Sequence, residues 1–188
     1  MNETLIFIFK YATDIVATLL LIRLLLQLTQ ADFYNPVSQG ILKICAPIVA
    51  PLEKLIPTMG RFNLAVLIAA ILVKWSFFVV IAAANGLLAP GIFAYVALAA
   101  FELLRTLITI YFYGVFILVI FSWVGTPPHP AARLIGQVIL PYTNIFRRFI
   151  PPLGMIDISP MVAIFTLMII RAQILPIIAM QIRPLLSL

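Results

Sequence analysis

Four long apolar stretches alternate with two shorter, one-sided ones. Residues 5–29, 63–84, 99–123 and 156–178 are each apolar over a length that crosses a hydrocarbon core of about 30 Å at about 1.5 Å per residue. The run holding the third stretch is apolar over residues 92–124, too long for one upright span. Residues 87–98 are then an uncharged linker or an extension of that helix. Between the first and second spans the pattern changes. Val37, Ile41, Ile44, Cys45, Ile48, Leu52 and Leu55 recur at steps of three and four, with Ser38, Gln39, Lys43, Glu53 and Lys54 elsewhere. Between the third and fourth, Leu134, Ile135, Val138, Ile139, Tyr142, Ile145, Phe146 and Phe149 form the apolar set, and Arg133, Gln137, Asn144, Arg147 and Arg148 the polar one. Both segments are too short and too charged to span, and read as helices lying in the membrane interface, apolar face down. Pro47 and Pro141 lack an N–H and clash one turn back, so each segment is expected to break there into two short helices.

The pattern repeats at an offset of 94 residues. Pro36 falls on Pro130, Pro47 on Pro141, Pro57 on Pro151 and Gly60 on Gly154, with Lys54 on Arg148, Asn63 on Asp157 and Ala65 on Ser159. Proline and glycine fix backbone geometry, so their shared register reports a repeated shape. The chain divides into residues 1–94 and 95–188. Each half is span, proline-rich segment (32–60 and 126–154), span. The predicted fold is all-α, with four transmembrane helices in two tandem repeats. Two spans per half make both halves enter the membrane in the same sense, related by an axis near its normal rather than inverted.

Composition settles the class. Of 188 residues, 64% are hydrophobic and only 10% charged, with mean hydropathy +1.20, against about 25% charged in soluble domains. This is an integral membrane protein. The first apolar stretch has no basic leader and no small-x-small site after it, so it reads as a retained span rather than a signal peptide. A net charge of +6 reflects a membrane protein's positive-inside bias rather than nucleic-acid binding. Lys43, Lys54, Arg61, Arg133, Arg147 and Arg148 all sit in or directly beside the proline-rich segments, whereas residues 1–4 and 85–98 hold no Lys or Arg and only Arg183 lies on the C-terminal side. Those segments are expected to be cytoplasmic, with both termini on the other side. Lys43, Lys54, Arg133, Arg147 and Arg148 are the candidates for anionic lipid headgroups or a membrane or cytoplasmic protein partner, each basic side chain contributing about 1 kcal/mol near such a surface. The simpler role for these segments is anchoring and packing.

Charges inside the bilayer are the sharpest functional cue. Asp14 and Lys74 sit at one depth and can pair; Lys10 and Asp14, four apart, are a second available pairing. In the second half Glu102 and Arg105 lie on the third span and Arg171 on the fourth, which places Glu102 to pair with Arg171. Such pairs either lock the bundle or line an ion or proton path. Under the repeat Lys74 meets Met168 and Arg171 meets Phe77, which argues against one symmetric site. Asn63 and Asp157 are placed to cap the second and fourth spans, with Pro160 in the first turn. Ala69, Ala70, Ala82, Ala83 and Ala84 offer close-packing faces to partner helices. A homo-oligomer is expected, with any conducting path formed between copies. One cysteine, Cys45, and one histidine, His129, make no metal set, and no Ser/His/Asp set, carboxylate pair or phosphate loop is present. The expectation is a non-enzymatic protein without cofactor or metal.

Asp32-Phe33-Tyr34-Asn35-Pro36, followed by Pro57 and Gly60, resembles the repeat of the YggT family. Arg147-Arg148-Phe149-Ile150-Pro151-Pro152-Leu153-Gly154-Met155-Ile156-Asp157-Ile158-Ser159-Pro160 is similar to that family's most distinctive stretch. The resemblance covers essentially the whole chain in a two-repeat arrangement. The first half departs at Glu53-Lys54 and Arg61–Val66, and the second at Thr126–His129, where Asp-Phe-x-Asn is expected. The resemblance implies a small bacterial inner-membrane protein without known catalytic residues. It further implies links to osmotic or potassium homeostasis, to division and nucleoid organisation, or to assembly of a membrane protein. The leading expectation is a role in ion or osmotic homeostasis or as a transport component, and the alternative is a scaffold or assembly factor that recruits partners through the cytoplasmic proline-rich segments.

Overall fold

The computed structural model describes residues 3–84, 92–125, 127–150 and 157–182. Its elements are α1 (Glu3–Leu28), α2 (Pro36–Glu53), α3 (Leu64–Ala84), α4 (Ile92–Val124), α5 (Pro130–Arg147), α6 (Ser159–Ile169), a π-helical turn (Ile170–Ile174) and α7 (Leu175–Ile182). Four rods are long and apolar enough to cross a membrane: α1, α3, α4 and the continuous α6–π–α7 helix (Ser159–Ile182). The chain is a multi-pass, all-α membrane protein. Residues 92–98 extend α4. Residues 87–91, Asn85-Gly86, Pro90-Gly91, Thr126, Pro151, Gly154 and Arg183 lie outside the described residues. The π turn precedes Pro176, whose missing N–H and ring the wider turn accommodates; the Leu175 amide donates to the Ile170 carbonyl five residues back.

The crossover helices keep the register of the repeat. α2 begins at Pro36 and ends at Glu53, and α5 begins at Pro130 and ends at Arg147. α2 joins the end of α1 to the start of α3, α5 joins α4 to α6, and the two touch each other. Both crossovers therefore sit at one end of the bundle, and both halves run through the membrane in the same sense.

The expected breaks at Pro47 and Pro141 do not occur. α2 runs unbroken through Pro47 and Pro51, and α5 through Pro141. Each of these prolines is exposed, as are Lys43, Pro47 and Gln137, whose carbonyls lose a partner one turn back. There, solvent or headgroups can take the freed bond. The opposite faces are held by buried Cys45 and Val49 in α2, and by Val138, Ile139 and Thr143 in α5. That packing outweighs a proline cost of about 3 kcal/mol.

The start of α2 ties the halves together. Asp32 accepts the Tyr34 amide on its own carboxylate (3.0 Å), and its carbonyl accepts the Ser38 hydroxyl (2.8 Å). Asn35, 3% exposed, accepts the Val37 amide (2.9 Å), and its Nδ2 donates to the Pro130 carbonyl of the other half (2.9 Å). Nearby, the Asp32 amide donates to Gln137 Oε1 (2.9 Å). At the equivalent place in the second half stands His129, whose Nδ1 accepts the Ala131 amide (3.1 Å). The residue that departs from the expected Asn thus keeps its capping job. Gly60, at φ +61°, turns the chain between Met59 and Phe62, which exchange two backbone hydrogen bonds of 3.0 Å.

Two adjoining apolar clusters form the interior. In one, Ala17, Leu20, Leu21 and Leu24 of α1 meet Cys45 and Val49 of α2 and Val66, Ala69 and Ala70 of α3. In the other, Leu25 and Leu26 of α1 join Val115 of α4, Val138 and Ile139 of α5 and Ala163 of α6. Ala69, Ala70 and Ala82 are buried within the chain, so of the five alanines expected to face partner helices only Ala83 and Ala84 are exposed. The repeat swaps sizes at one contact. Leu20 and Cys45 share a cluster in the first half; their counterparts are Gly114 and Ile139, where a Cβ on Gly114 would lie 2.4 Å from Ile139 Cδ1. Asn35→Ser keeps a cap but not the reach to Pro130 and should cost about 1 kcal/mol, whereas Asn35→Ala loses both and should cost about 2–3 kcal/mol, measured as unfolding in detergent or bilayer.

Candidate functional site

Each half closes its crossover with a polar latch. In the first, Glu53 at the end of α2 accepts the Asn63 amide nitrogen (2.7 Å) and the Arg23 guanidinium from α1 (2.8 Å). Asn63 in turn accepts the Val66 amide at the start of α3 (3.2 Å). In the second, Arg147 at the end of α5 pairs with Asp157 (2.6 Å), which accepts the Ser159 amide at the start of α6 (2.9 Å). Arg147 is the repeat counterpart of Glu53, and Asp157 that of Asn63. The two latches join the same positions with donor and acceptor exchanged. Asp157 caps Ser159 rather than the counterpart of Val66, because that counterpart is Pro160 and has no N–H. Ser159 is buried, and its hydroxyl donates to the Ile150 carbonyl (3.3 Å).

A polar cavity lies beside each latch. The first, about 450 Å³, is walled by Arg23, Gln27, Ser38, Leu42, Glu53 and Asn63 among others. The second, about 360 Å³, has the counterparts Phe121, Ala132, Gly136, Arg147 and Asp157 in its wall, together with Arg133 and Pro160. Burial pushes the Asp157 carboxyl up, but the Ser159 amide and the Arg147 guanidinium outweigh this and hold it below its ordinary value. Burial also pushes the Cys45 thiol up, with Arg23 as a smaller opposing influence; this buried thiol is protonated and unreactive at neutral pH.

Asp14 and Lys74 are brought together, with Lys74 4% exposed, so Asp14 takes this partner rather than Lys10. Glu102 and Arg171 are not paired. Glu102 faces Arg105 one turn along its own helix (3.4 Å), and the Arg171 guanidinium lies over the Phe112 ring, 4.6 Å from its centroid, with no carboxylate partner among the described residues. Arg105 and Arg171 instead line one cavity of about 250 Å³ with Phe101, Leu175, Pro176 and Ala179. Lys43, Lys54, Arg133, Arg147 and Arg148 all lie exposed on or beside the crossover helices. Pro57 and Gly60 lie in the loop before α3, and Pro160 in the first turn of α6. Among the described residues no group of three His, Cys, Asp or Glu is placed to hold a metal.

Arg23 and Glu53 are latch residues that neither apolar periodicity nor the basic-pair motif singles out. The signal was the offset: moving Glu53 and Asn63 on by 94 gives Arg147 and Asp157, an exchanged pair.

A family model described as CCB3/YggT matches residues 2–84 and again residues 97–178. An uncharacterized protein of Pseudomonas aeruginosa is 32% identical over 172 residues, covering 90% of this chain and 87% of its own. The Escherichia coli K12 protein YggT, also called uncharacterized, is 31% identical over 169 residues, covering 90% and 88%. YlmG homolog protein 2, chloroplastic, of Arabidopsis thaliana is 40% identical over 48 residues, 26% of this chain and 19% of its own. No solved structure matches.

The lowered Asp157 carboxyl predicts a pH dependence. Its stabilising contribution is present above the unfolded value near 3.8 and is lost as the pH falls through the lower folded one. Asp157→Asn should remove that acid-side loss, so acid titrations of unfolding for the two proteins should converge as Asp157 becomes protonated.

Proposed function

The chain belongs to the CCB3/YggT family of membrane proteins, and we propose that it works without catalysis, as a membrane scaffold whose paired crossover helices form a basic platform. The supporting observation is the meeting of α2 and α5 at one end of the bundle, clamped by Asn35 on Pro130, with Lys43, Lys54, Arg133, Arg147 and Arg148 exposed there. The apolar face of α5 holds the platform to the bundle through Val138 and Ile139, and the Tyr142 hydroxyl adds a hydrogen bond to the Ala163 carbonyl of α6 (3.1 Å). The basic face suits anionic headgroups and acidic segments of partner proteins at the same surface. We place the platform on the cytoplasmic side of a bacterial plasma membrane, termini opposite, following the positive-inside bias. A cysteine in place of fully accessible Tyr34 (90% exposed), in a Cys45→Ser background, should resist an impermeant label in intact spheroplasts and react in inverted vesicles. Labelling in spheroplasts reverses the orientation.

A second reading is ion or osmotic homeostasis, with potassium the first ion to test. Arg171, a cation inside a span with no carboxylate partner among the described residues and set in a π turn, favours it, since such turns concentrate at functional places. A conducting path would then run between copies in a homo-oligomer, because Leu20, Leu21, Leu24 and Val66 fill the interior of one chain.

Liposomes holding only the purified protein separate the two. The scaffold reading expects potassium flux at the protein-free level and enrichment of phosphatidylglycerol around the protein. Charge reversal at Lys43, Lys54 and Arg148 should reduce that enrichment, by about fivefold for each charge lost at about 1 kcal/mol. Flux that disappears in Lys74→Met or Arg171→Met, with folded protein retained, overturns it in favour of the second.

A further inference from the structure

Two cavities of opposite character adjoin at the crossover end of the first repeat. The polar one is the cavity of about 450 Å³ beside the Arg23–Glu53–Asn63 latch. The other, about 260 Å³, lies between the repeats and is walled by apolar side chains, among them Ile22 and Leu25 of α1, Ile41 of α2, Ile110 of α4 and Val138 of α5. Leu26 belongs to both walls, and on α2 Ile41 faces one cavity while its neighbour Leu42 faces the other.

Arg23 is 9% exposed. Its Nη2 donates to Glu53, but its Nε–H is buried and has no acceptor among the described residues. A buried donor left unmade is costly, and a guanidinium has five donors in a fixed fork. Arg23 thus carries a donor without an acceptor among the described residues and stands in the wall of a polar cavity whose other charged member is a carboxylate. Arg23 and Glu53 cancel, so the cavity is electrically neutral with a cation and an anion side by side.

We propose that the two cavities form one binding site for a zwitterionic phospholipid with a primary-amine headgroup. Its phosphate accepts from Arg23. Its ammonium donates to the carboxylate of Glu53 and to the side-chain oxygen of Asn63. One acyl chain fills the apolar slot between the repeats. Headgroup chemistry decides the class. A purely anionic headgroup meets Glu53 without a cation to offer it, and a trimethylammonium has no N–H to donate. Depth agrees. Arg23 lies five residues, about 8 Å, before the Leu28 end of α1, within reach of the headgroup region. The slot reaches Ile110, fourteen residues or about 21 Å from the Val124 end of α4, which is acyl-chain depth. This site is distinct from the exposed basic platform and does not depend on it.

The test is native mass spectrometry of the full-length protein taken from vesicles of equal phosphatidylethanolamine, phosphatidylglycerol and phosphatidylcholine. Retained phosphatidylethanolamine should exceed each of the others about tenfold, the effect of one charged hydrogen bond. Ala131→Leu projects into the apolar slot and leaves the polar wall untouched. It should bring retention of phosphatidylethanolamine down to that of the other two, with the melting temperature unchanged or raised. Arg23→Lys, which keeps the charge beside Glu53 but has no Nε–H, should narrow the preference. Equal retention of the three lipids, a preference for phosphatidylglycerol, or a phosphatidylethanolamine preference that Ala131→Leu leaves intact overturns the proposal; in the last case the slot holds no chain.

Discussion

A helix that begins at a bilayer surface must satisfy its first amides close to where water runs out. In this protein that requirement is met by Asn35, and most of the architecture depends on it. The side chain is almost fully buried, takes the Val37 amide with its oxygen and gives its nitrogen to the Pro130 carbonyl of the other half. One residue therefore starts α2, sets where α2 lies, and fixes the two halves against each other. Pro130 opens α5, where its own missing N–H costs nothing, and it is its carbonyl that accepts from Asn35. With α2 and α5 clamped at one end, the four spans have little freedom left except rotation, and the Leu20–Ala69 and Leu26–Val138 clusters settle that.

The polar residues are distributed by depth. At mid-membrane the protein uses Asp14 with Lys74, where the lysine is buried and the partner close. A charge there without a partner is expensive, which explains both the pairing and the stacking of Arg171 on Phe112. At the crossover end, nearer water, charged and amide side chains tie helix ends to one another. The more exposed Arg147–Asp157 tie does little for net stability, but both latches define which end of which helix meets which.

Much of this was legible in the sequence, for identifiable reasons. The spans follow from apolar length alone. Counting residues from the ends gave the Asp14–Lys74 pairing, since depth is linear in sequence along a helix. Asn63 and Asp157 were readable as caps because capping is local. The failures share a cause: they depend on which way a side chain points around its helix, and depth counting ignores that. Glu102 and Arg105 are neighbours three apart on one face, and the π turn around Arg171 shifts the register of everything after it. The prolines of α2 and α5 do not break their helices because they fall on the exposed stripe, which only the packed structure reveals. Arg23 was passed over because its partner, Glu53, stands 30 residues away across a turn.

The exchanged latches have an evolutionary consequence. Duplicated halves of one gene are prone to gene conversion, in which one copy overwrites part of the other. Here such a copy of residues 147–157 onto 53–63 would set an arginine beside the buried guanidinium of Arg23, whereas the reverse copy would carry a Glu–Asn pair into the second half, where Ile117 stands in place of Arg23. Only the first of these exchanges brings like charges together, so the two directions of copying are unequal in cost. The first half, with Arg23 at its latch, is therefore the less free of the two to take sequence from the other.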